Sequence, residues 1–273
     1  MCQSPLPLGT LLNDTDTDVT FGALHRFLLV CRIRPSNLPE APAMASTVAN
    51  DASTDRYHTH EVLNQAMPAS GFNAFRGDAV LCAAIEREAS WAADRCEALG
   101  AVAGDEDVQE LARLANRHLP ELKTHDRYGN RIDWMEFHPS WHQLMTLAWK
   151  HEVPSLAWRT NQKNGHFARA VLSYLWNQVE QGTACPTGMA YAAYAGFEAE
   201  PALGIWAEKV KGTDYEFSRR EIAEKPSAVV GYAMTEKQGG SDLRETQTTA
   251  RFSHSADYHG KTAHWYELTG HKW

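Results

Sequence analysis

The chain has 273 residues, of which 43% are hydrophobic, 10% aromatic and 22% charged, and its formal net charge is -8. This length suits two domains, and the aromatic content predicts that most of the chain folds. The acidic balance argues against a nucleic-acid clamp, which usually carries a basic excess.

Cysteine usage and hydropathy bear on the compartment. The five cysteines are scattered without a C-x-x-C spacing, which predicts neither a disulfide framework nor a zinc ribbon. The longest candidate apolar run, residues 27–31, is far shorter than the ~18 residues that a membrane-spanning helix needs. We therefore expect a cytoplasmic protein with no membrane partner.

The first part of the chain differs in composition from the rest. Acidic residues alternate with threonine near the N-terminus, three prolines follow, and residues 41–55 are small and polar. This composition predicts a disordered leader over residues 1–55. Met44 offers a second candidate start codon within it.

The next region has the apolar spacing of helices. Asp78 is a good N-cap before a helix that Gly100 is expected to end, and Pro139 suits the first turn of another. An i, i+3, i+4 pattern predicts the further helices. The predicted helices cover residues 79–100, 105–116, 139–149, 165–179, 186–195 and 201–210. We expect an all-helical domain over residues 56–223, with a turn at residues 128–130.

The period then changes to that of strands. Residues 228–234 are β-rich, residues 246–252 alternate polar and apolar side chains, and residues 265–268 suggest a third strand. Three strands do not complete a domain, because one face and the edges stay uncovered. The predicted fold is α+β and mainly α: a helical domain followed by an incomplete antiparallel β domain over residues 224–273.

A short segment after the first predicted strand contains residues that could bind a ligand. It places the hydroxyls of Thr235 and Ser241 on either side of Gly239 and Gly240. Such a loop can bring hydroxyls and backbone N–H groups to a phosphate or to the polar edge of a heteroaromatic ring. A plain Gly-Gly turn between two strands explains the spacing equally well, so the residues alone leave both interpretations open.

A family resemblance favours the first interpretation. The segment Met-Thr-Glu-Lys-Gln-Gly-Gly-Ser-Asp at residues 234–242 resembles the flavin signature of acyl-CoA dehydrogenases, and residues 266–273 resemble that family's second motif. Residues 137–145 and 181–186 resemble its AidB branch, flavoproteins of the adaptive response to DNA alkylation. The similarity runs from about residue 59 to residue 273, with an interruption around residues 196–227. Glu245 departs from the signature, which has a small residue there.

The resemblance implies FAD as the cofactor and a set of residues that hold it. Thr235 would bond the pyrimidine edge of the flavin, Ser241 would lie near the pyrophosphate, and Glu236 would brace the turn rather than act as a base. The implied cofactor-binding residues are Met234, Thr235, Gly239, Gly240 and Ser241.

The resemblance also implies an activity and a missing part. Members dehydrogenate the CH–CH group of an acyl-CoA thioester, with a glutamate base in a C-terminal helical bundle. We therefore expect the N-terminal half of an oxidoreductase, with no catalytic residue in this chain and a homotetramer at full length. Two alternatives remain: a DNA-protection flavoprotein that binds DNA through the missing C-terminal region, or an inactive truncated product.

Two histidines are candidate metal ligands. His138 and His142 share a helical face at i, i+4, but the H-E-x-x-H pattern is absent. Buried or capping roles are favoured, and no metal site is predicted.

Overall fold

The computed structural model describes residues 59–60, 63–66, 69–218, 220–258 and 260–272. The predicted leader over residues 1–55, with Met44, lies outside these residues. Residues 66–273 form one compact unit by their contacts. The domain boundary predicted near residue 223 stays a prediction.

Helices make up most of the described structure. Ala79–Ala89 (α1) and Ala93–Ala103 (α2) are joined by a 3-10 turn at Ser90–Ala92. The remaining helices are Glu106–Arg117 (α3), Pro139–Lys150 (α4), Leu156–Arg159 (α5), Gly165–Asn177 (α6), Gln181–Glu198 (α7) and Gly204–Val210 (α8). Short 3-10 turns lie at Pro201–Leu203, Ile222–Glu224 and Leu243–Glu245.

The predicted helix starts follow from local capping. The Asp78 carboxylate accepts a hydrogen bond from the Leu81 amide at 2.9 Å, which confirms it as the N-cap of α1. The single helix predicted over residues 79–100 is two helices, α1 and α2, and Gly100 does not end the second one. Gly100 lies buried within α2, where its lack of a side chain lets residues 73–75 pack against the helix.

The seventh helix begins earlier than its sequence suggests. The Glu180 carboxylate accepts hydrogen bonds from the amides of Gly182 and Thr183 at 2.7 and 2.6 Å. This cap starts α7 five residues before Pro186, the position at which the prediction placed the helix start.

The region predicted as all-helical contains a β-hairpin. Glu121–His125 (β1) pairs antiparallel with Arg131–Glu136 (β2) around the predicted turn, where Asp126 accepts from the amides of Tyr128 and Asn130. The all-helical prediction for this region is therefore wrong over residues 121–136. Both strands are charged and largely exposed, so neither shows the apolar alternation that marks a half-buried strand.

One apolar core is formed by side chains from helices α1 to α7. Its fully buried side chains include Ile85, Leu99, Leu144, Met145, Trp149, Leu172, Leu175 and Trp176. A smaller cluster of Tyr194, Ala207, Val210 and Ala228 lies between α7, α8 and the chain beyond them. The helical part therefore buries its apolar stripes within itself.

The last two strands form a separate antiparallel hairpin, Thr249–Tyr258 (β3) and Lys261–Thr269 (β4). They confirm the second and third predicted strands in part, with shifted bounds. The predicted strand over residues 228–234 is wrong, because no strand forms there. The Ala228 amide instead donates to the Lys209 carbonyl at 2.9 Å, and Ala228 packs against α8.

The architecture is thus mainly helical with small antiparallel sheets, as the predicted fold class states. Within the described ranges, no helix has both the length and the apolar content that crossing a bilayer requires.

Candidate functional site

The predicted cofactor segment forms a tight turn between the helical part and the β3–β4 hairpin. The amide of Glu236 donates to the Gly239 carbonyl at 3.1 Å, and the Gly239 amide donates back at 3.0 Å. Lys237 and Gln238 are exposed at the tip. The segment is therefore a bend, and it is not buried inside a helix.

Thr235 and Gly240 meet at the base of this turn. A Cβ added to Gly240 would lie 2.7 Å from the Thr235 hydroxyl oxygen, closer than real Cβ contacts. The Thr235 side chain therefore occupies the space that a side chain at residue 240 would need, and it lies beside the residue that precedes Ser241. The structure thus brings Thr235 against Gly240, and Ser241 follows Gly240 in the chain, whereas Met234 and Gly239 are exposed.

The turn offers hydrogen-bond donors that other described residues do not use. Across the described ranges, neither the hydroxyls of Thr235 and Ser241 nor the amides of Gly240 and Ser241 donate a hydrogen bond to another described residue. Ser241 is exposed and Thr235 is half-buried. Flavin carbonyls and a pyrophosphate are hydrogen-bond acceptors, so this donor set fits the implied cofactor.

Glu236 holds the turn from inside. Its side chain is only 2% exposed, and its two carboxylate oxygens accept hydrogen bonds from the amides of Gln247 and Thr248 at 2.9 and 3.0 Å. The Lys272 ammonium lies 2.8 Å from the same carboxylate. Lys272, together with the donors of Thr248 and Gln247, holds the pKa of Glu236 well below its ordinary value. Such a carboxylate stays ionised and is a poor proton acceptor, in keeping with the bracing role that the resemblance implied.

The end of β4 packs against this turn. The Lys237 amide donates to Nε2 of His271 at 2.7 Å, and the Lys272 ammonium donates to the Met234 carbonyl at 2.8 Å. Gly270 lies against Thr248, where a Cβ would meet the Thr248 Cα at 2.7 Å. The two segments that carry the family resemblance are therefore in direct contact.

Sequence reasoning did not assign His271 and Lys272 to the site. Both lie inside the second motif, residues 266–273, and that motif was the available signal. Their partners lie more than thirty positions earlier in the chain, so only the folded hairpin shows the contact.

Glu245 does not disturb the turn. It ends the short 3-10 turn Leu243–Glu245, its side chain is exposed, and β3 begins only at Thr249. The departure from the flavin signature therefore falls in a connection, outside the strand.

The β3–β4 hairpin beyond the turn has apolar side chains on both faces. Phe252, Tyr266 and Leu268 share one face by register, and Tyr258 and Trp265 share the other. All five are exposed, with Leu268 at 75%. The described residues thus cover neither face of this sheet.

The two histidines that share a helical face, His138 and His142, make hydrogen bonds within the protein. Nδ1 of His138 accepts from the Ser140 amide at 3.3 Å and caps α4 beside Pro139. His142 hydrogen-bonds the Tyr215 hydroxyl at 2.9 Å through Nδ1. In the described ranges, no group of three or more histidine, cysteine or acidic side chains could hold a metal ion.

Comparison with known proteins agrees with this architecture. A family model described as "Adaptive response protein AidB N-terminal domain" matches residues 64–217. The protein named "Putative acyl-CoA dehydrogenase AidB" of Escherichia coli (strain K12) is 36% identical over 221 residues. That alignment covers 80% of this chain and 39% of the relative, so the chain spans well under half of the relative's length.

Solved structures share the fold. The structure titled "Bd2924 apo-form" superposes with a TM-score of 0.61 at 22% identity, covering 77% of this chain and 41% of that one. ACDH-11 of Caenorhabditis elegans, solved in complex with C11-CoA, gives a TM-score of 0.61 at 19% identity, covering 82% and 37%. The family match, the identity and the shared fold agree: the chain belongs to the AidB branch of the acyl-CoA dehydrogenase family.

Proposed function

We propose that the chain is the N-terminal portion of a cytoplasmic, FAD-dependent flavoprotein that acts on acyl-CoA thioesters. The observation that supports the proposal is the turn at residues 235–241, where the Thr235 side chain lies against Gly240 and hydroxyl and amide groups donate to no other described residue. A bound flavin would supply hydride acceptance in the α,β-dehydrogenation of the thioester.

In this proposal the residues of the chain bind and orient the cofactor. Thr235 would donate to the pyrimidine edge, and Ser241 with the Gly240 amide would donate to the pyrophosphate. Met234 and Gly239 would line the approach. Donors at these positions stabilise negative charge on a reduced flavin. We assign no catalytic base to the chain and propose that this glutamate lies in a C-terminal bundle.

The acyl-CoA substrate class is proposed from the relatives. The ACDH-11 structure holds C11-CoA, and the Escherichia coli relative carries the acyl-CoA dehydrogenase name. We further propose that the full-length protein is a homotetramer, in which the exposed faces of the β3–β4 hairpin are covered.

A second candidate follows from the family description, which names an adaptive response protein. In that case the full-length protein would protect DNA, with little dehydrogenase activity. The net charge of -8 supports a DNA-binding surface outside this chain, because DNA-binding surfaces usually carry a basic excess. A third candidate is that the chain alone is an inactive product.

The test is a titration of the purified chain with FAD, followed by flavin fluorescence and visible absorbance. Thr235→Ala and Ser241→Ala should each weaken binding roughly tenfold, the cost of one or two lost hydrogen bonds. Thr262→Ala, an exposed hydroxyl at the far end of the hairpin, is the matched control and should bind as the wild type does.

Adding octanoyl-CoA to the FAD-loaded chain tests whether this chain binds the cofactor but lacks the catalytic base. We expect no bleaching of the flavin, because the base lies elsewhere, and no salt-dependent DNA binding. Absence of any FAD binding would favour the inactive product. Bleaching by the acyl-CoA would place a base within this chain and contradict the assignment.

A further inference from the structure

The shape of the candidate site depends on contacts that are distant in sequence. Among the described residues, the backbone-to-backbone hydrogen bonds within the turn are the two mutual ones between Glu236 and Gly239. Two such bonds close four residues, but they do not place residues 240–248, which follow. Another group must therefore hold the longer loop.

The Glu236 carboxylate closes that loop. By accepting from the amides of Gln247 and Thr248, it joins the start of the turn to the residues just before β3. The Gln238 side-chain amide donates to the same carboxylate at 2.5 Å. One buried anion thus binds the turn tip and the far end of the loop at once.

Lys272 provides the positive charge that this anion needs. Its ammonium contacts Glu236 at 2.8 Å and also donates to the carbonyl of Met234 at 2.8 Å. It thus binds the residues immediately before and after Thr235. A buried carboxylate without its cation is costly, because the charge has lost its hydration. The lysine arrives from the end of β4, together with His271, which accepts from the Lys237 amide.

We propose that Glu236 and Lys272 form a latch that orders residues 234–248 before any cofactor binds. Both are positioning residues, since each acts through the loop and neither is assigned a contact with the flavin. The inference rests on the proposed function for what the ordered donors bind. The order itself is a property of the chain without ligand.

The latch explains why two distant motifs belong to one site. Thr235 and Ser241 would donate, whereas Lys272 would keep their backbone in a single arrangement. Preorganised donors bind more tightly because less conformational freedom is lost on binding.

The first test is amide hydrogen exchange on the ligand-free chain. Glu236→Gln replaces the ionised acceptor of the Gln247 and Thr248 amides with a neutral one, and Lys272→Met leaves that acceptor buried without its cation. Each substitution should speed the exchange of these two amides by roughly tenfold or more. Lys272→Arg keeps the cation and should restore most of the protection. Lys261→Met and Glu86→Gln, at exposed positions outside residues 234–248, are the matched controls.

The second test is FAD affinity of the same variants, measured with the thermal unfolding of the helical part. Lys272→Met should raise the FAD dissociation constant roughly tenfold, and Lys272→Arg should return it to within about threefold of the wild type. Unfolding of the helical part should not change, because the latch lies outside its core.

Each outcome decides the proposal. Unchanged exchange in Lys272→Met overturns the latch. Faster exchange with unaltered FAD affinity overturns its positioning role. If the wild-type chain binds no FAD, the proposed cofactor fails for this chain, and the exchange data alone decide whether the latch exists.

Discussion

The helical part and the β3–β4 hairpin use similar apolar residues in opposite ways. Trp149 and Trp176 are fully buried between helices, whereas Trp265 on β4 is 45% exposed. Each helix needs cover for a single stripe, and its neighbours supply it. A two-stranded sheet has two faces and cannot cover either one by itself. The number of packed layers, and not the residue type, separates the two regions.

The candidate site lies where these regions join, and it is held differently from both. Before the turn, the Ala228 amide donates to the Lys209 carbonyl of α8. After β4, the Lys272 ammonium contacts the Glu236 carboxylate. These ties are polar and few. The order of the site is therefore set by hydrogen bonds and one ion pair, whereas the helices are ordered by apolar burial.

The largest expected effect tests the contrast between the two tryptophans. Trp176→Ala should lower the free energy of unfolding by about 3–5 kcal/mol, since it empties a packed site. Trp265→Ala should change it by less than about 0.5 kcal/mol. Urea unfolding followed by far-ultraviolet circular dichroism measures both. An equal cost at the two positions would show that the hairpin is covered in solution, and the contrast would then fail.

An intermediate effect is expected at two helical glycines. Gly100→Ala should cost about 1–3 kcal/mol, because its Cβ would lie 2.6 Å from Phe75 in a filled interior. Gly188, in α7, has no atom within 4 Å of such a Cβ. Gly188→Ala should instead stabilise by about 0.5–1 kcal/mol, since alanine favours a helix interior.

The same denaturation experiment compares the two glycine variants directly. If Gly100→Ala were neutral, residues 73–75 would not pack against α2 as closely as the structure shows. If Gly188→Ala were destabilising, that face of α7 would be occupied in the folded chain.

The smallest effect is a pH dependence within the helical part. Burial lowers the pKa of His142, so the folded state prefers the neutral ring. Its contribution to stability is complete above about pH 6.5 and is lost as the pH falls toward the lowered value, because the unfolded chain binds the proton first. His142→Asn should remove this part of the dependence of the unfolding free energy on pH.

The control for this effect keeps the imidazole and removes its partner. Tyr215→Phe deletes the hydroxyl that bonds His142 but leaves the ring buried, so the slope should persist. Unfolding free energies measured from neutral to mildly acidic pH would check this. If the pH dependence of the unfolding free energy were unchanged in His142→Asn, it would belong to other groups. His151 is one such group, because burial lowers its pKa as well.

Some elements follow from sequence because their causes are local. The start of α1 depends on Asp78 and an amide three residues later, and the turn at residues 128–130 depends on Asp126. The turn at residues 235–241 is also local, since its glycines and hydroxyls are adjacent. Apolar periodicity predicts the longer helices, because apolar residues at every third or fourth position form one stripe, and that stripe is the face that the helix buries.

Other features depend on partners that are far along the chain. Residues 228–234 have strand-forming side chains, yet their backbone bonds and packs on α8 instead of a sheet. Residues 121–136 have weak strand patterning, yet they pair with each other. The contact between Lys272 and Glu236 also spans most of the β region. The sequence by itself determined most of the helices, the turn and the family. The tertiary structure decided the strand pairing and the contact between Glu236 and Lys272, because partners that are distant in sequence meet only through three-dimensional approach and not through neighbouring residues.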